Sequence, residues 1–225
     1  MTKDTYSLPL STTHSLTLLQ NTSSGTSGTT IWPGGRDLAS YLALQSQKGK
    51  LSLHKKRLVD LGTGTGIVGL TAAHCGASVT LTDQEHIING AVLSENIAAN
   101  ADETAANGGN ISTLVLDWNI HAQGVEGIDP PYDIVCGADV MYDISFAEPL
   151  SHTIAALTDT KSTIYIAYER RDPLVHDRFM EVMKELGFKG TKVTKRATGK
   201  IQDQDSLVDI WKFKKVAVKS LPADA

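Results

Sequence analysis

Short apolar stretches alternate with stretches of helical periodicity along most of this chain. The apolar stretches predict buried strands at residues 57–61, 78–82, 112–116, 132–138 and 163–168. Around them, apolar residues recur three and four positions apart. This predicts helices at about 36–47, 67–74 and 84–100, one marked by Leu150, Ile154 and Leu157, and one that Asp172 caps and Gly187 ends. Such alternation is typical of a doubly wound α/β sheet, where ligands bind at the carboxyl ends of the strands.

The two ends of the chain depart from this alternation. Residues 189–194 and 207–216 predict two strands with no helix between them, so we expect them to pair antiparallel at one sheet edge. Residues 11–30 are rich in Ser and Thr, but the alternation at 14–18 predicts a short hairpin. We therefore predict an N-terminal extension at 1–30, one domain at 31–218 and a tail at 219–225.

Composition and charge narrow the class of protein. The 225 residues include 21 Lys and Arg against 25 Asp and Glu, for a net charge of −4. No stretch concentrates basic residues into a phosphate-binding face, which argues against a nucleic-acid partner. The two cysteines are too few for a disulfide framework, and no signal sequence, membrane span or metal-binding histidine spacing is evident. We expect a soluble monomer without a metal or membrane partner, in the cytoplasm and with the nucleus as a second compartment.

A glycine-rich turn follows the first strand of the alternation. Three glycines come after Asp60, namely Gly62, Gly64 and Gly66, and they let the backbone approach a ligand closely. The spacing from Gly64 onward also satisfies the dinucleotide fingerprint, with Asp83 about 20 residues downstream of it. The turn alone therefore fits NAD and S-adenosylmethionine about equally. An acid inside the strand would repel a pyrophosphate and attract the ammonium of a methionine moiety, so Asp60 favours S-adenosylmethionine.

Two further acidic residues end neighbouring strands. Asp83 can accept hydrogen bonds from both ribose hydroxyls, or it can cap the following helix. Asp117 suits the exocyclic amine of an adenine, and the indole of Trp118 offers a stacking face. Ordinary core packing of Trp118 is the alternative. Together these residues predict a site for an adenosine.

The motifs LVDLGTGTGIVGL, VTLTD, VLDW and GADVMY occur here in that order. They resemble the seven-stranded S-adenosylmethionine-dependent methyltransferases, and specifically methyltransferase family 16, over roughly residues 29–216. The resemblance implies a Rossmann-like, mostly parallel seven-stranded sheet and S-adenosylmethionine as cofactor. Characterised members are mostly protein-lysine methyltransferases that act on chaperones, AAA ATPases and translation elongation factors. A protein substrate of that kind is the partner that the resemblance implies.

The resemblance also assigns roles to individual residues. Trp32 matches a tryptophan on the cofactor side, although the Pro-Gly-Gly that follows it departs from the family pattern. Asp139 and Tyr142 match the family's D-x-x-Y motif and become the candidate catalytic residues, with Ala138 at the cofactor. Residues 169–171 match a charged stretch that either lines a substrate channel or forms a solvated face.

A second motif points in another direction. Residues 129–132 spell the D-P-P-Y of amino-methyltransferases that act on adenine or glutamine. In those enzymes the motif follows the fourth strand, whereas here it precedes that strand. We therefore interpret it as a turn.

Methyl transfer from a sulfonium is an in-line displacement, which needs alignment and exclusion of water. A lysine acceptor must also lose its proton, and Asp139 and Tyr142 can orient the amine and guide that proton away. Asp139 as a structural cap and Tyr142 as a pocket wall are the alternatives. An arginine acceptor would require a fork of two carboxylates, which Asp139 and Glu169 could form. A small-molecule methyltransferase, an NAD(P) oxidoreductase and a non-catalytic adaptor remain rival hypotheses.

Overall fold

The computed structural model describes residues 4–11, 13–23, 25, 27–121, 127–198 and 207–216. Its strands are β1 (Asp4–Pro9), β2 (Ser15–Gln20), β3 (Arg57–Leu61), β4 (Ser78–Asp83), β5 (Asn110–Val115), β6 (Ile134–Ala138), β7 (Thr163–Glu169), β8 (Phe188–Lys192) and β9 (Val208–Lys215). Its helices are α1 (Pro33–Gln47), α2 (Ile67–His74), α3 (Glu85–Ile88), α4 (Ala91–Ala106), α5 (Trp118–His121), α6 (Ala147–Leu157), α7 (Pro173–Glu185) and α8 (Lys195–Thr198). None of these described helices is both long and apolar enough to cross a membrane.

Seven strands form one sheet in the order β5-β4-β3-β6-β7-β9-β8. The strands from β5 to β7 run parallel to their neighbours, while β9 pairs antiparallel with both β7 and β8. This arrangement confirms the predicted fold class, a mostly parallel seven-stranded sheet with a C-terminal antiparallel hairpin. The remaining strands, β1 and β2, pair antiparallel as a separate hairpin.

Helices cover both faces of the sheet. Successive side chains of a strand point to opposite sides, so neighbouring residues belong to different buried clusters. On one side, Leu58 of β3 lies in a buried cluster with Leu38 of α1. On the other side, its neighbour Val59 lies in a second cluster with Ile154 of α6 and Phe179 of α7. Near-continuous apolar strands are therefore required by the two helical layers.

The N-terminal hairpin packs onto the same cluster as α1. Its first strand starts at Asp4, ahead of the Ser/Thr-rich stretch in which the sequence placed the hairpin. Leu8, Leu16 and Leu18 are each no more than 2% exposed and belong to that cluster. The hairpin thus shares the core of the sheet domain. The predicted tail at 219–225 lies outside the described residues, and the predicted domain division stays a prediction.

Two local predictions differ from the structure. The helix expected at 84–100 is two helices, α3 and α4, because the chain turns extended at Gly90. A Cβ at Gly90 would lie 3.0 Å from the carbonyl oxygens of His86 and Ile87, so a glycine fits this tight break. In addition, the single helical turn α8 follows β8, where the sequence predicted none. Gln45 of α1 holds that turn by donating to the carbonyl of Ala197 at 2.9 Å.

The D-P-P-Y stretch lies at the amino end of β6, which is the sheet edge opposite to the carboxyl ends of the strands. Tyr132 is 4% exposed, packs in the cluster on the α6 side and donates a long hydrogen bond to Thr80 Oγ1 at 3.4 Å. Asp129 and the guanidinium of Arg57 form an ion pair of 3.3 Å. The stretch is therefore a connection into β6, and its tyrosine is a core residue.

Candidate active site

A pocket opens at the carboxyl edge of the sheet, where β3, β4 and β6 end. Of the predicted site residues, ten line it: Trp32, Asp60, Gly62, Gly64, Asp83, Asp117, Trp118, Ala138, Asp139 and Tyr142. They converge because parallel strands all end at the same edge. Gly66 does not line the pocket. It is the N-cap of α2, with a φ of 87°, and so it directs the chain from the glycine turn into the helix.

The glycine turn is overlaid by the segment that precedes α1. Gly64 has a φ of 53°, and a Cβ there would lie 3.1 Å from the carbonyl oxygen of Gly28. Ser27, Gly28 and Thr30 all line the pocket, although no pattern in the chain indicated it. The close approach of two backbones therefore accounts for a glycine at position 64.

Asp60 organises the glycine turn from beneath. Its side chain is only 2% exposed, and Oδ2 accepts hydrogen bonds from Thr63 Oγ1 at 2.7 Å and from the backbone N–H of Gly69 at 3.0 Å. Burial raises the pKa of Asp60 to about 7, although both hydrogen bonds oppose that rise. The carboxyl group thus ties Thr63 of the glycine turn to Gly69 of α2. Attraction of a ligand ammonium by Asp60 stays a prediction.

The raised pKa of Asp60 makes stability depend on pH. An unfolded aspartate has a pKa of about 3.9, so between about pH 4 and pH 7 the folded state retains a proton that the unfolded state has lost. The free energy of unfolding of the ligand-free protein should therefore fall as pH rises through that window. Asp60→Asn should remove the contribution of Asp60 to this slope because asparagine does not titrate, and the variant should still fold because its amide oxygen can accept both hydrogen bonds.

Urea denaturation at pH 5 and pH 7 measures that slope for both proteins. Burial also raises the pKa of Asp83 and of Asp139, whereas it lowers the pKa of His74, which acts in the opposite direction. The result to compare is therefore the difference in slope between the two proteins. A full slope in Asp60→Asn would show that Asp60 is ionised throughout the range.

Asp83 clamps the glycine turn from the side of β4. Its Oδ2 accepts from the N–H of Gly64 at 2.9 Å, and its Oδ1 accepts from the N–H of Gln84 at 2.8 Å. The alternative interpretation as a helix cap does not describe this geometry, because the N-cap of α3 is Gln84 and no side chain caps that helix. Burial raises the pKa of Asp83 despite these two hydrogen bonds. The carboxylate keeps further lone pairs for ligand hydroxyls.

Asp117 and Trp118 lie at the start of α5, on the adjacent part of the wall. Asp117 Oδ1 accepts from the backbone N–H of Asn119 at 2.9 Å. Trp118 packs against the buried cluster on the α6 side, and its ring meets that of Phe146 edge to face at 6.0 Å. The same indole also lines the pocket, so stacking on an adenine stays a prediction beside its packing role. Its buried Nε1 has no hydrogen-bond partner among the described residues.

Asp139 joins three separate parts of the site. It has a φ of 54°, and its backbone N–H donates to the carbonyl of Ala167 at 2.8 Å. Its Oδ2 accepts from the N–H of Gly34 in the first turn of α1 at 2.7 Å, and its Oδ1 accepts from the N–H of Glu169 at 3.0 Å. Burial nevertheless raises the pKa of Asp139. This geometry favours the structural alternative for Asp139, as an anchor of the segments around the pocket.

The same contact explains the Pro-Gly-Gly departure from the family pattern. A Cβ on Gly34 would lie 2.6 Å from Asp139 Oδ2, so any larger residue would displace the carboxylate. Pro33 occupies the first turn of α1, where a missing N–H costs nothing. The glycine at position 34 therefore leaves room for the Asp139 side chain at the N-terminus of α1.

Aromatic and charged side chains border the open end of the pocket. Trp32 donates from Nε1 to the carbonyl of Ser27 at 2.9 Å, and the guanidinium of Arg171 lies 4.8 Å from the centre of its ring. Arg171 also donates from Nε to Glu169 at 2.9 Å and lines the pocket. Tyr142 is 65% exposed, with its ring 5.1 Å from that of Phe146. In the stretch at 169–171, Arg171 therefore borders the pocket, as a channel residue would.

Sequence reasoning missed several residues of the pocket wall. Gln84, His86 and Ile87 follow β4 directly, and their position after a parallel strand was a usable signal. Phe146 comes after β6 in the same way. The N-terminal segment from Ser27 offered no such signal, because nothing in a Ser/Thr-rich stretch indicates what it will cover.

A family profile described as lysine methyltransferase matches residues 10–186. The chain belongs to the lysine methyltransferase family. This membership confirms the predicted family, and with it S-adenosylmethionine as the cofactor. The donor set of the pocket fits that cofactor, since carboxylates suit an ammonium and ribose hydroxyls, and Trp118 offers a ring face.

Individual relatives of the chain are also named as lysine methyltransferases. The chain is 29% identical over 153 residues to protein N-lysine methyltransferase METTL21A of Danio rerio, covering 66% of this chain and 65% of the relative. It is 31% identical over 159 residues to EEF1A lysine methyltransferase 3 of Mus musculus, covering 70% and 63%. The chain thus spans a little under two thirds of these relatives' length.

A solved structure shares the fold. Magnesium protoporphyrin IX methyltransferase from Synechocystis PCC 6803, with bound SAM, superposes with a TM-score of 0.57. The two chains are 19% identical, and the match covers 81% of this chain and 79% of the other. At that identity the likeness concerns the architecture alone.

Proposed function

We propose that this protein is an S-adenosylmethionine-dependent protein-lysine N-methyltransferase that acts on a non-histone protein of the cytosol. The observation that carries the proposal is the pocket itself. Its inner end holds Asp60 and Asp83 around the glycine turn, and its open end is bordered by Trp32 and Tyr142. A mouth bordered by exposed aromatic side chains suits a side chain presented by another protein. A closed acceptor cavity would be expected for a small molecule.

The named relatives support the nature of the substrate. One relative carries the name EEF1A lysine methyltransferase 3, and the other is a protein N-lysine methyltransferase. We propose by analogy a substrate of the elongation factor, chaperone or AAA ATPase type. The net charge of −4 and the absence of a basic stretch in the sequence argue against a nucleic-acid substrate. We also propose that the protein acts as a monomer in the cytoplasm, with the nucleus as a second compartment.

The charged groups at the mouth favour lysine over arginine. A guanidinium acceptor would require Asp139 and Glu169 to present a carboxylate fork. Both oxygens of Asp139 already accept from backbone N–H groups, and Glu169 is paired with Arg171. A fork of these two residues would have to break the ion pair between Glu169 and Arg171, whereas a single amine can be oriented by one hydroxyl.

The cofactor supplies an electrophilic methyl group when it is bound. The chain must then align the amine with the methyl group, exclude water and favour the deprotonated form of the amine. A lysine side chain ordinarily has a pKa of about 10.4, so neutralising it at pH 7 costs about 4 to 5 kcal/mol. Burial in the pocket lowers that cost, and the hydroxyl of Tyr142 can orient the neutral amine at the mouth. We assign Tyr142 this direct role, with Asp139 fixing the wall beneath it.

The reactive amine predicts a particular pH profile. With subsaturating acceptor, the initial rate should rise between about pH 6 and pH 9, because the deprotonated fraction of the lysine increases until its depressed pKa is passed. Incubation with labelled cofactor and a cell extract identifies the acceptor protein, and mass spectrometry locates the methyl group. Replacement of that lysine by arginine in the acceptor is the control and should abolish labelling. Methyl groups found on arginine, or only on small molecules, would refute the lysine proposal and leave methyl transfer intact.

A further inference from the structure

Two buried asparagines on α4 form hydrogen bonds to the backbone of β2, as a neighbouring strand would. Asn96 is 0% exposed and Asn100 is 5% exposed, one helical turn apart. The N–H of Leu19 in β2 donates to Asn96 Oδ1 at 2.6 Å, and Asn96 Nδ2 donates back to the carbonyl of Leu19 at 3.0 Å. Asn100 makes the same pair of hydrogen bonds with Thr17, at 3.3 and 2.9 Å. Two side-chain amides thus satisfy an outer edge of the hairpin.

The remaining hydrogen bond distinguishes the two asparagines. Asn96 Nδ2 also donates to the carbonyl of Thr65 at 2.9 Å, and Thr65 is part of the glycine turn and of the pocket wall. Asn100 Nδ2 instead donates to the carbonyl of Asn96, within its own helix, at 2.8 Å. Asn96 therefore connects the hairpin to the cofactor pocket, whereas Asn100 holds the hairpin to the helix only.

The hairpin reaches the pocket from a second side as well. Gln20, the last residue of β2, accepts through Oε1 from the N–H of Ile31 at 3.1 Å. The segment between them contributes Ser27 and Gly28 to the pocket wall, with Gly28 directly over Gly64. The glycine turn is therefore enclosed between two contacts that both originate in the hairpin.

We propose that Asn96 is a positioning residue for cofactor binding, which fixes the Thr65 carbonyl of the glycine turn to the N-terminal hairpin. The turn contains several left-handed glycines, so it has many conformations to lose when a ligand binds. Holding it in place beforehand lowers that cost. On this proposal the hairpin is part of the cofactor site. The inference rests on the assignment of the pocket to S-adenosylmethionine and is independent of which acceptor is methylated.

Paired alanine variants test the proposal by calorimetry with S-adenosylhomocysteine. Asn96→Ala should raise the dissociation constant about tenfold, while Asn100→Ala should change it less than about twofold. Each variant loses one pair of hairpin hydrogen bonds, so their melting temperatures should fall by similar amounts. With an acceptor protein in hand, Asn96→Ala should raise the KM for cofactor and leave the KM for acceptor unchanged. A merely structural role would affect both variants alike.

Hydrogen exchange of the unaltered protein gives an independent test that requires no variant to fold. Saturating S-adenosylhomocysteine should slow exchange of the Leu19 N–H, which Asn96 accepts, more than that of the Thr17 N–H. Equal slowing at both amides, or equal losses of affinity in the two variants, would overturn the inference alone. If the unaltered protein binds no S-adenosylhomocysteine, the proposed function fails and this inference fails with it.

Discussion

Asp83→Ala is expected to weaken the binding of S-adenosylhomocysteine by roughly 2 to 4 kcal/mol, or about 30- to 1000-fold. The carboxylate is the acceptor that the pocket offers to ribose hydroxyls, and such charge-assisted hydrogen bonds are the strong ones. The same substitution releases the N–H of Gly64, which Asp83 holds at 2.9 Å, and so loosens the glycine turn. Both effects act in the same direction. Isothermal calorimetry well below the melting temperature gives the affinity.

Asp143→Ala is the matched control for this experiment. Asp143 also accepts a backbone N–H, from Ser145 at 2.8 Å, and it lies at the same edge of the sheet. Its side chain is not part of the pocket wall, so the affinity should stay within about twofold. Unchanged affinity in Asp83→Ala would contradict both effects and would remove Asp83 from the cofactor site.

Asp139→Asn is expected to lower turnover by about a hundredfold or more while leaving the affinity for S-adenosylhomocysteine within a few fold. The carboxylate accepts from the N–H groups of Gly34 and Glu169, and an amide can replace only one of its two oxygens. The other N–H would face a donor. The wall of the acceptor end should then shift, together with Tyr142. The free energy of unfolding should fall by about 1 to 3 kcal/mol, because a buried donor loses its acceptor.

The appropriate control is Asp172→Asn, the same change at another helix N-terminus. Asp172 Oδ1 accepts from the N–H of Leu174 at 2.9 Å and caps α7. Asparagine is as good a cap as aspartate, so neither stability nor turnover should change appreciably. Single-turnover rates with the identified acceptor, beside urea denaturation, separate the two effects. Wild-type turnover by Asp139→Asn would remove Asp139 from the site altogether.

The strands could be predicted because their environment leaves a simple pattern. A strand covered on both faces must be apolar throughout, and residues 134–138 are an example. The acids Asp83, Asp117 and Asp139 could be assigned to a site for a related reason. Each lies at or just after the end of a strand of the parallel set, and all such strands end at one edge. Local pattern and topology rule together sufficed for this much.

The predicted helix at 84–100 failed for a physical reason. Apolar residues keep their helical spacing through Ile87 and Val92, so the pattern contains no sign of an interruption. The break at Gly90 brings the chain so near the carbonyls of the preceding turn that a Cβ there would lie 3.0 Å from two of them. Periodicity reports which face of a segment is buried, and it is insensitive to such a contact.

Periodicity and chain order were enough to specify the α/β architecture, the glycine turn after β3 and the acids that end the strands. The role of each polar group depended instead on the folded arrangement. Asp139 holds Gly34, which is 105 positions away, and Asn96 holds Thr65, 31 positions away. No local pattern specifies which distant N–H a carboxylate will accept from or which carbonyl an amide will donate to. Those partners are fixed by the packing of whole elements. For this reason Asp139, which the sequence predicted as a catalytic residue, anchors the first turn of α1 in the structure.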